Sequence, residues 1–266
     1  MKNTIALVAA FLAVAHATPV PQGFSLCNYF GTCSSTTSST STRATSTAIT
    51  SSTATSVATT TTRTSSPSTT TANSSACKTQ TAGRSTENGV TETNCCTPLT
   101  VIFARGTGEF GNVGTVAGPP MFKSLRCKLG ASGVTVQGVT YPASLAGNAN
   151  QGADGGPEMA KLVKQALSEC PNTKIVVSGY SQGGMVVHNA FSAQGLTSTQ
   201  VAAAVLFGDP MNGRVVGNLP TAKVKQYCAN GDSVCEGGGF AITPAHTSYG
   251  NNADAAADWI ISVTGV

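Results

Sequence analysis

The most informative segment of the chain is KIVVSGYSQG, residues 174–183. Its apolar first part, residues 174–179, predicts a buried strand, and residues 182–193 predict a helix. Between them lies a G-x-S-x-G pattern centred on Ser181. A serine on such a sharp strand-to-helix turn projects from the sheet at the positive end of the helix. The pattern therefore predicts Ser181 as a nucleophile, and an ordinary strand-to-helix turn is the alternative.

Strands and helices alternate on both sides of this turn. Further strands are predicted at 99–103, 134–139, 201–207 and 222–227, and further helices at 120–129, 157–169 and 251–263. The strands are apolar runs without strict alternation, which is typical of strands buried on both faces. The pattern predicts an α/β fold with a central, mainly parallel sheet and helices on both faces.

A serine hydroxyl becomes a good nucleophile only when a base accepts its proton. His188 lies on the same predicted helix as Ser181, about 10 Å further along at 1.5 Å per residue, which is too far to reach the hydroxyl. We therefore expect His188 on the helix surface or in packing. His246 lies in the loop before the last helix. The chain order serine, acid, histidine is that of α/β-hydrolases, which predicts His246 as the base.

The acid that orients the base is expected between the nucleophile and the histidine, where the candidates are Asp209, Asp232 and Glu236. Asp209 directly follows a predicted strand, so its position makes it a serious candidate. Asp232 lies in CANGDSVC, residues 228–235. A disulfide between the two cysteines of that segment would hold the carboxylate rigidly, as a triad acid requires. The residues favour Asp232 and leave Asp209 open.

The loop after the first strand is rich in glycine and reads ARGTGE, residues 104–109. Acyl transfer needs hydrogen-bond donors aimed at the negative charge that develops on the substrate oxygen. The backbone N–H of Gln182, next to the nucleophile, is one candidate donor. Because glycines allow the backbone to approach closely, this loop is predicted to supply the second donor.

Four segments together resemble the cutinase family, and the likeness runs in order over about residues 95–265. They are ARGTGE at 104–109, GYSQG at 179–183, CANGDSVC at 228–235 and TPAH at 243–246. The resemblance implies a small, lidless α/β-hydrolase that cleaves cutin-like polyesters and short-to-medium acyl esters. Two other functions stay open: an acetylxylan esterase with the same triad, and a non-catalytic wall or adhesion protein.

The resemblance also implies roles for individual residues. The triad is Ser181, His246 and Asp232, with Asp232 raised above Asp209. Thr107 joins Gln182 in the oxyanion hole, and Asn148 supports Thr107. Separately, three apolar residues are predicted to wall an acyl pocket, with plain packing as the alternative: Leu145, Phe240 and Ile242.

All nine cysteines follow residue 17, and in an exported chain they predict disulfides rather than metal ligands. No metal and no cofactor is expected. The resemblance implies the pairs Cys96–Cys170 and Cys228–Cys235, and a local Cys27–Cys33 pair is a further prediction. The pairing of Cys77, Cys95 and Cys127 stays open. The odd number of cysteines leaves one thiol free or intermolecular.

Composition divides the chain into four parts. They are a signal peptide (1–17), a short cysteine-containing segment (18–33), a Ser/Thr-rich, disordered and O-glycosylated linker (34–76), and a catalytic domain (77–266). The leader has a positive start, an apolar stretch and a small-x-small cleavage site, which predicts secretion. The linker is too polar to bury a core that offsets its conformational entropy.

Charge and hydropathy limit the possible partners. The net charge is +4, but the basic residues are scattered. Nucleic-acid binding is not expected, because it needs a clustered basic face. The apolar stretch of the leader is too short to span a bilayer, so no stable membrane insertion is expected. The predicted partner is an insoluble polyester such as cutin, or a small ester, and the predicted state is a monomer.

Overall fold

The computed structural model describes residues 84–92, 96–237, 239 and 241–266. It also gives the backbone of two short antiparallel strands, β1 (Leu26–Cys27) and β2 (Cys33–Ser34). The predicted signal peptide lies outside the described residues, as do the predicted Ser/Thr-rich linker after Ser34 and the residues Cys77, Cys95 and Phe240. The side chains of the predicted Cys27–Cys33 pair are likewise not described.

The domain is built on a sheet of five parallel strands in the order β4-β3-β5-β6-β7. They are β3 (Leu99–Ala104), β4 (Val134–Gly138), β5 (Lys174–Tyr180), β6 (Ala203–Phe207) and β7 (Val224–Tyr227). The first four are buried along almost their whole length. The predicted parallel sheet with doubly buried strands is confirmed.

Five helices are described, and four of them were predicted. They are α1 (Gly118–Leu129), α2 (Gly156–Glu169), α3 (Gln182–Ser192), α4 (Ser233–Gly237) and α5 (Ala253–Thr264). Prolines at the first turns of α1 and α2 suit a helix start, because their missing N–H has no acceptor there. The short helix α4 was not predicted, and 3-10 turns at Thr221–Lys223 and Tyr249–Asn252 shorten β7 and α5 at their starts.

Two hydrophobic clusters hold helices to the two faces of the sheet. On one face Phe103 packs with Phe122 of α1 and Ile260 of α5. On the other face Ile102 packs with residues of α2 and α3, including Val163. Adjacent residues of β3 therefore serve opposite layers, as the alternation of a strand requires. The prediction of helices on both faces is confirmed.

The strand order places a crevice at the carboxyl ends of β3 and β5. From β3 the chain crosses to β4 on one side, and then returns to β5 on the other side. Loops that leave neighbouring strands in opposite directions open a crevice in α/β sheets, and ligands bind there. The loop of residues 105–109 follows β3, and Ser181 follows β5.

Disulfides fasten two segments near the sheet. Cys96 before β3 is bonded to Cys170 at the end of α2, and Cys228 is bonded to Cys235 across seven positions. Cys127 is also disulfide-bonded, and no cysteine among the described residues is free. None of the helices in the described part of the chain is long and apolar enough to cross a membrane.

Candidate active site

Ser181 occupies a strained turn between β5 and α3. Its φ of 55° and ψ of −122° lie in a region that side-chain-bearing residues rarely adopt. The turn is possible because glycines flank it. A Cβ atom added to Gly179 would lie 2.1 Å from the Gly183 carbonyl oxygen, and one added to Gly183 would lie 2.0 Å from the Ala104 carbonyl oxygen. The backbone of the turn therefore packs directly against its own helix and against β3.

Three distant side chains meet at this turn. His246 Nε2 lies 3.0 Å from Ser181 Oγ, and His246 Nδ1 lies 2.9 Å from both carboxylate oxygens of Asp232. Asp232 is 0% exposed, His246 1% and Ser181 8%. The carboxylate and the imidazole are thus shielded from water, while the hydroxyl lines an open cleft.

Asp232 is fixed by its loop and by a buried tyrosine. The loop is closed by the Cys228–Cys235 disulfide and continues into α4, where the Val234 N–H donates to Asp232 Oδ1 at 3.1 Å. The Tyr249 hydroxyl donates to Asp232 Oδ2 and accepts a hydrogen bond from the Ala229 N–H. Burial and the hydrogen bond to Asp232 raise the pKa of Tyr249 well above its usual value, so it remains a donor. Sequence reasoning missed this residue.

The imidazole of His246 is held from two further sides. The Tyr180 hydroxyl donates to the His246 carbonyl oxygen at 2.9 Å, and the two rings lie 5.1 Å apart. Gly208, whose φ is +55°, packs against the imidazole near Cε1. A Cβ atom added there would be 2.9 Å from His246 Cε1. A larger residue at position 208 would displace the imidazole.

The other two candidate acids form no hydrogen bond to His246. Asp209 binds His188, with 2.9 Å between Asp209 Oδ2 and His188 Nε2. Glu236 accepts a hydrogen bond from the Gly231 N–H within the loop. His188 is only 4% exposed, so the helix-surface position considered for it is wrong. Helix α3 is covered by α2 and the sheet, and the buried Asp209 gives His188 its partner.

Two backbone N–H groups beside Ser181 have no acceptor among the described residues. In the loop after β3, the N–H groups of Gly106 and Gly108 donate to Glu109 Oε2 and to the Ala143 carbonyl oxygen, both at 2.8 Å. The Thr107 N–H between them has no such partner. The N–H of Gln182 begins α3, where the helix offers no acceptor. Thr107 and Gln182 are the two residues predicted to form the oxyanion hole, and that role stays a prediction.

Side-chain hydrogen bonds connect the loop that carries the Thr107 N–H to the helix that carries the Gln182 N–H. The Thr107 hydroxyl donates to Asn148 Oδ1 at 3.2 Å, so the structure brings these two residues together, and the supporting role of Asn148 stays a prediction. Gln182 Nε2 lies within hydrogen-bond distance of Thr107 Oγ1, Asn148 Oδ1 and the Ser144 carbonyl oxygen. The Gln182 side chain was not predicted to take part. It links the helix that carries one donor to the loop that carries the other.

A cleft of about 500 Å³ opens beside Ser181 and His246. Leu145 and Ile242, two of the predicted wall residues of an acyl pocket, line this cleft, and they are 80% and 64% exposed, so plain packing does not explain them. Phe240, the third predicted wall residue, lies outside the described residues. Met185 and Met211 also line the cleft. Sequence reasoning missed both, because neither belongs to a motif.

Comparison with known proteins identifies the family of the chain. Residues 95–264 match the Cutinase family. The chain is similar to Cutinase 4 of Emericella nidulans, with 51% identity over 184 residues that cover 69% of this chain and 79% of the relative. It is also similar to Cutinase cut1 of Trichoderma harzianum, with 47% identity over 171 residues, 64% of this chain and 68% of the relative.

A solved structure is similar as well, that of a Trichoderma reesei cutinase bound to a phosphonate inhibitor. It shares 42% sequence identity, has a TM-score of 0.62, and is matched over 68% of this chain and 81% of its own. The family match, the relatives and this fold agree with the resemblance carried by the four sequence segments. The chain therefore belongs to the cutinase family of carboxylic ester hydrolases.

Proposed function

We propose that Ser181, His246 and Asp232 hydrolyse carboxylic esters by two-step acyl transfer. The observation that carries this proposal is the continuous line of hydrogen bonds from Asp232 through His246 to Ser181, with separations of 2.9 and 3.0 Å. It joins a carboxylate, an imidazole and a hydroxyl in the order that general-base catalysis needs.

In the first step Ser181 Oγ attacks the carbonyl carbon of the ester, and its proton passes to His246 Nε2. The carbonyl π bond opens and leaves a negative charge on oxygen. The N–H groups of Thr107 and Gln182 bind that charge, and the Thr107 hydroxyl turns toward it from Asn148. The C–O bond to the alcohol then breaks, and His246 gives its proton to the leaving oxygen. The product of this step is an acyl-Ser181 ester.

In the second step water takes the place of the alcohol. His246 Nε2 removes a proton from water as the water oxygen attacks the acyl carbon, and the same two N–H groups bind the new oxyanion. The bond to Ser181 Oγ breaks, and the proton returns to Oγ. Asp232 stays ionised throughout and holds Nδ1–H, so the imidazole keeps Nε2 free to accept a proton.

The cleft supports an acyl chain longer than acetate. Most of its lining is apolar, and the exposed Leu145 and Ile242 at its edge offer apolar contacts to a polymer strand. We therefore propose cutin-like polyesters and short-to-medium acyl esters as substrates. None of the described residues that line the cleft favours acetylated xylan over these substrates.

The proposal extends to the state of the whole chain. The leader-like residues 1–17 support secretion, and the Ser/Thr-rich residues 34–76 support an O-glycosylated linker before the catalytic domain. We propose that the mature protein acts as a monomer outside the cell. Sizing and glycan staining of the secreted protein test these points.

The test is a substrate panel run on the secreted protein and on Ser181→Ala. Turnover of p-nitrophenyl butyrate should fall about 10⁴- to 10⁶-fold in the variant. The matched control is Ser178→Ala, since that serine is buried in β5, the strand that leads to Ser181, and donates to the Val205 carbonyl oxygen. Its turnover should stay within a few-fold of the parent.

The same panel tests the substrate class. Release of monomers from cutin, and faster turnover of butyrate than of acetate esters, are the expected results. Release of acetate from acetylated xylan as the main activity would instead identify an acetylxylan esterase. Near-normal ester turnover by Ser181→Ala would show that the proposed nucleophile is wrong.

A further inference from the structure

Arg105 is a buried cation that the proposed chemistry does not use. It is 8% exposed, and it forms no ion pair with a carboxylate among the described residues. A buried charge is costly unless hydrogen bonds compensate it. The hydrogen-bond acceptors of Arg105 therefore show which parts of the structure its buried guanidinium stabilises.

The acceptors are backbone carbonyl oxygens of two loops. Arg105 Nε donates to the Glu109 carbonyl oxygen at 2.8 Å. Arg105 Nη2 donates to the Tyr141 carbonyl oxygen at 2.8 Å and more weakly to that of Pro142 at 3.4 Å. In return, the Tyr141 hydroxyl donates to the Arg105 carbonyl oxygen at 2.5 Å. One guanidinium thus closes the loop of residues 105–109 and joins it to the loop of residues 141–144.

Thr107 lies at the midpoint of the loop that Arg105 closes. Its neighbours are held inward, because the Gly106 N–H donates to Glu109 Oε2 and the Gly108 N–H to the Ala143 carbonyl oxygen. The Thr107 N–H has no acceptor among the described groups. The hydrogen bonds of Arg105 and of these two glycines therefore fix the backbone on both sides of Thr107. The Thr107 N–H stays available to a ligand.

We propose that Arg105 is a positioning residue that preorganises the Thr107 side of the oxyanion hole. This inference rests on the proposed function, because it gives Arg105 its effect through Thr107. Its physical basis is that donors fixed before reaction stabilise a developing charge without reorganising. Only a planar guanidinium offers donors in the fork that both loops require, and a lysine ammonium lacks that fork.

A second buried arginine provides a matched control. Arg126 in α1 is also 8% exposed, but it pairs with Glu87 at 2.8 Å and does not line the cleft. The variants Arg105→Lys and Arg126→Lys both keep the charge and remove the fork. Loss of stability is expected in both, whereas loss of oxyanion stabilisation is expected only in Arg105→Lys.

The experiment compares both variants in the full secreted protein, at a temperature where each is folded. Arg105→Lys should lower kcat on p-nitrophenyl butyrate about 10- to 100-fold, with KM within about twofold. Its rate of inactivation by an alkyl phosphonate should fall by a similar factor. Arg126→Lys should leave kcat, KM and the inactivation rate within about twofold of the parent.

A thionoester substrate gives a readout that loss of folding alone does not move. Sulfur accepts hydrogen bonds weakly, so a working oxyanion hole favours the oxygen ester over the thionoester. The ratio of the two rates should fall in Arg105→Lys and stay constant in Arg126→Lys. If Arg105→Lys does not fold, Tyr141→Phe replaces it, since it removes only the hydroxyl that donates to the Arg105 carbonyl oxygen. A smaller fall in the same ratio is then expected.

Two outcomes overturn the inference. One is an Arg105→Lys protein that is folded and has a kcat and a rate ratio within twofold of the parent. The other is an equal fall in kcat for both lysine variants. Failure of the proposed function looks different, because the parent itself would then show no Ser181-dependent ester hydrolysis.

Discussion

The described part of the chain contains two buried aspartate–histidine pairs that are alike in chemistry and differ in the groups around them. His246 lies 2.9 Å from Asp232, and His188 lies 2.9 Å from Asp209. All four side chains are at most 4% exposed. The two aspartates follow the ends of neighbouring strands, β7 and β6. Distance, burial and residue type therefore do not separate the pairs.

The ring nitrogen that meets the carboxylate does separate them. His246 binds Asp232 through Nδ1, so Nε2 at the far end of the ring points to Ser181 Oγ. His188 binds Asp209 through Nε2. The ring nitrogen that remains is Nδ1, which lies close to the backbone of His188 itself. Asp209 also accepts the Met211 N–H at 2.9 Å. The second pair thus connects the turn after β6 to α3, whereas the first pair forms a hydrogen bond to the hydroxyl of Ser181.

The largest expected effect separates the two aspartates. Asp232→Asn should lower kcat on p-nitrophenyl butyrate about 10⁴-fold, because an amide that donates to Nδ1 holds the imidazole in the wrong tautomer. Thermal unfolding followed by circular dichroism should show that the variant is folded.

Asp209→Asn is the matched variant in the other pair. Its kcat should stay within about threefold, while its free energy of unfolding falls by about 1–3 kcal/mol through a weakened buried hydrogen bond. Urea unfolding measures that loss. An Asp209→Asn protein as inactive as Asp232→Asn would end the distinction between the pairs.

The second prediction concerns the loop that carries Asp232. The double variant Cys228→Ala, Cys235→Ala opens a loop of seven positions and should lose about 2–3 kcal/mol of stability. We expect kcat to fall about tenfold or more, because a carboxylate on a loose loop orients the imidazole less often. Urea unfolding measures the stability, and turnover of p-nitrophenyl butyrate measures kcat.

The other disulfide serves as its control. Cys96→Ala, Cys170→Ala opens a loop of 74 positions and should lose more stability, about 4 kcal/mol, with kcat per folded molecule unchanged. A larger fall in kcat for Cys96→Ala, Cys170→Ala than for Cys228→Ala, Cys235→Ala would contradict this prediction. It would show that the Cys228–Cys235 disulfide does not position Asp232.

The smallest expected effect comes from Tyr249, which contacts Asp232 and has no counterpart bound to Asp209 among the described residues. Tyr249→Phe should lower kcat about two- to fivefold, since one donor to the Asp232 carboxylate is lost. A variant with unchanged kcat would show that the disulfide and α4 hold Asp232 without Tyr249.

The same residue predicts a dependence of stability on alkaline pH. Burial, together with the hydrogen bond to Asp232, raises the pKa of Tyr249 above its unfolded value of 10.0. Its contribution to stability is therefore complete below that pH and decreases as the pH rises above it, because only the unfolded chain releases the proton. Urea unfolding from pH 8 to 11 should show a shallower decrease for Tyr249→Phe than for the parent.

Much of the fold was predictable because its strands are apolar runs at regular distances. Strands β3 and β5 differ from their predicted bounds by one residue at one end. The elements that were not predicted are short and are hydrogen-bonded locally. The turn at Thr221–Lys223 and the helix α4 contain too few residues for a hydrophobic period to appear.

The site was predictable to the extent that it lies in motifs. Ser181, Asp232 and His246 each belong to a short segment with distinctive neighbours, so the sequence predicted that they meet, and the structure brings them together. Tyr249 contacts Asp232, and Arg105 contacts Tyr141, across many positions of the chain, and such contacts leave no periodic signal. The partner of His188 was missed for the same reason, since 21 positions separate it from Asp209.

By itself, the sequence determined which residues carry reactive groups and which segments form strands, because both depend on residue type and local order. The order of the strands, the nitrogen through which each histidine binds its aspartate, and the free N–H of Thr107 came only from the folded chain. These features depend on contacts between residues far apart in sequence. Side-chain packing and the geometry of hydrogen bonds select them once the sheet has brought those residues together.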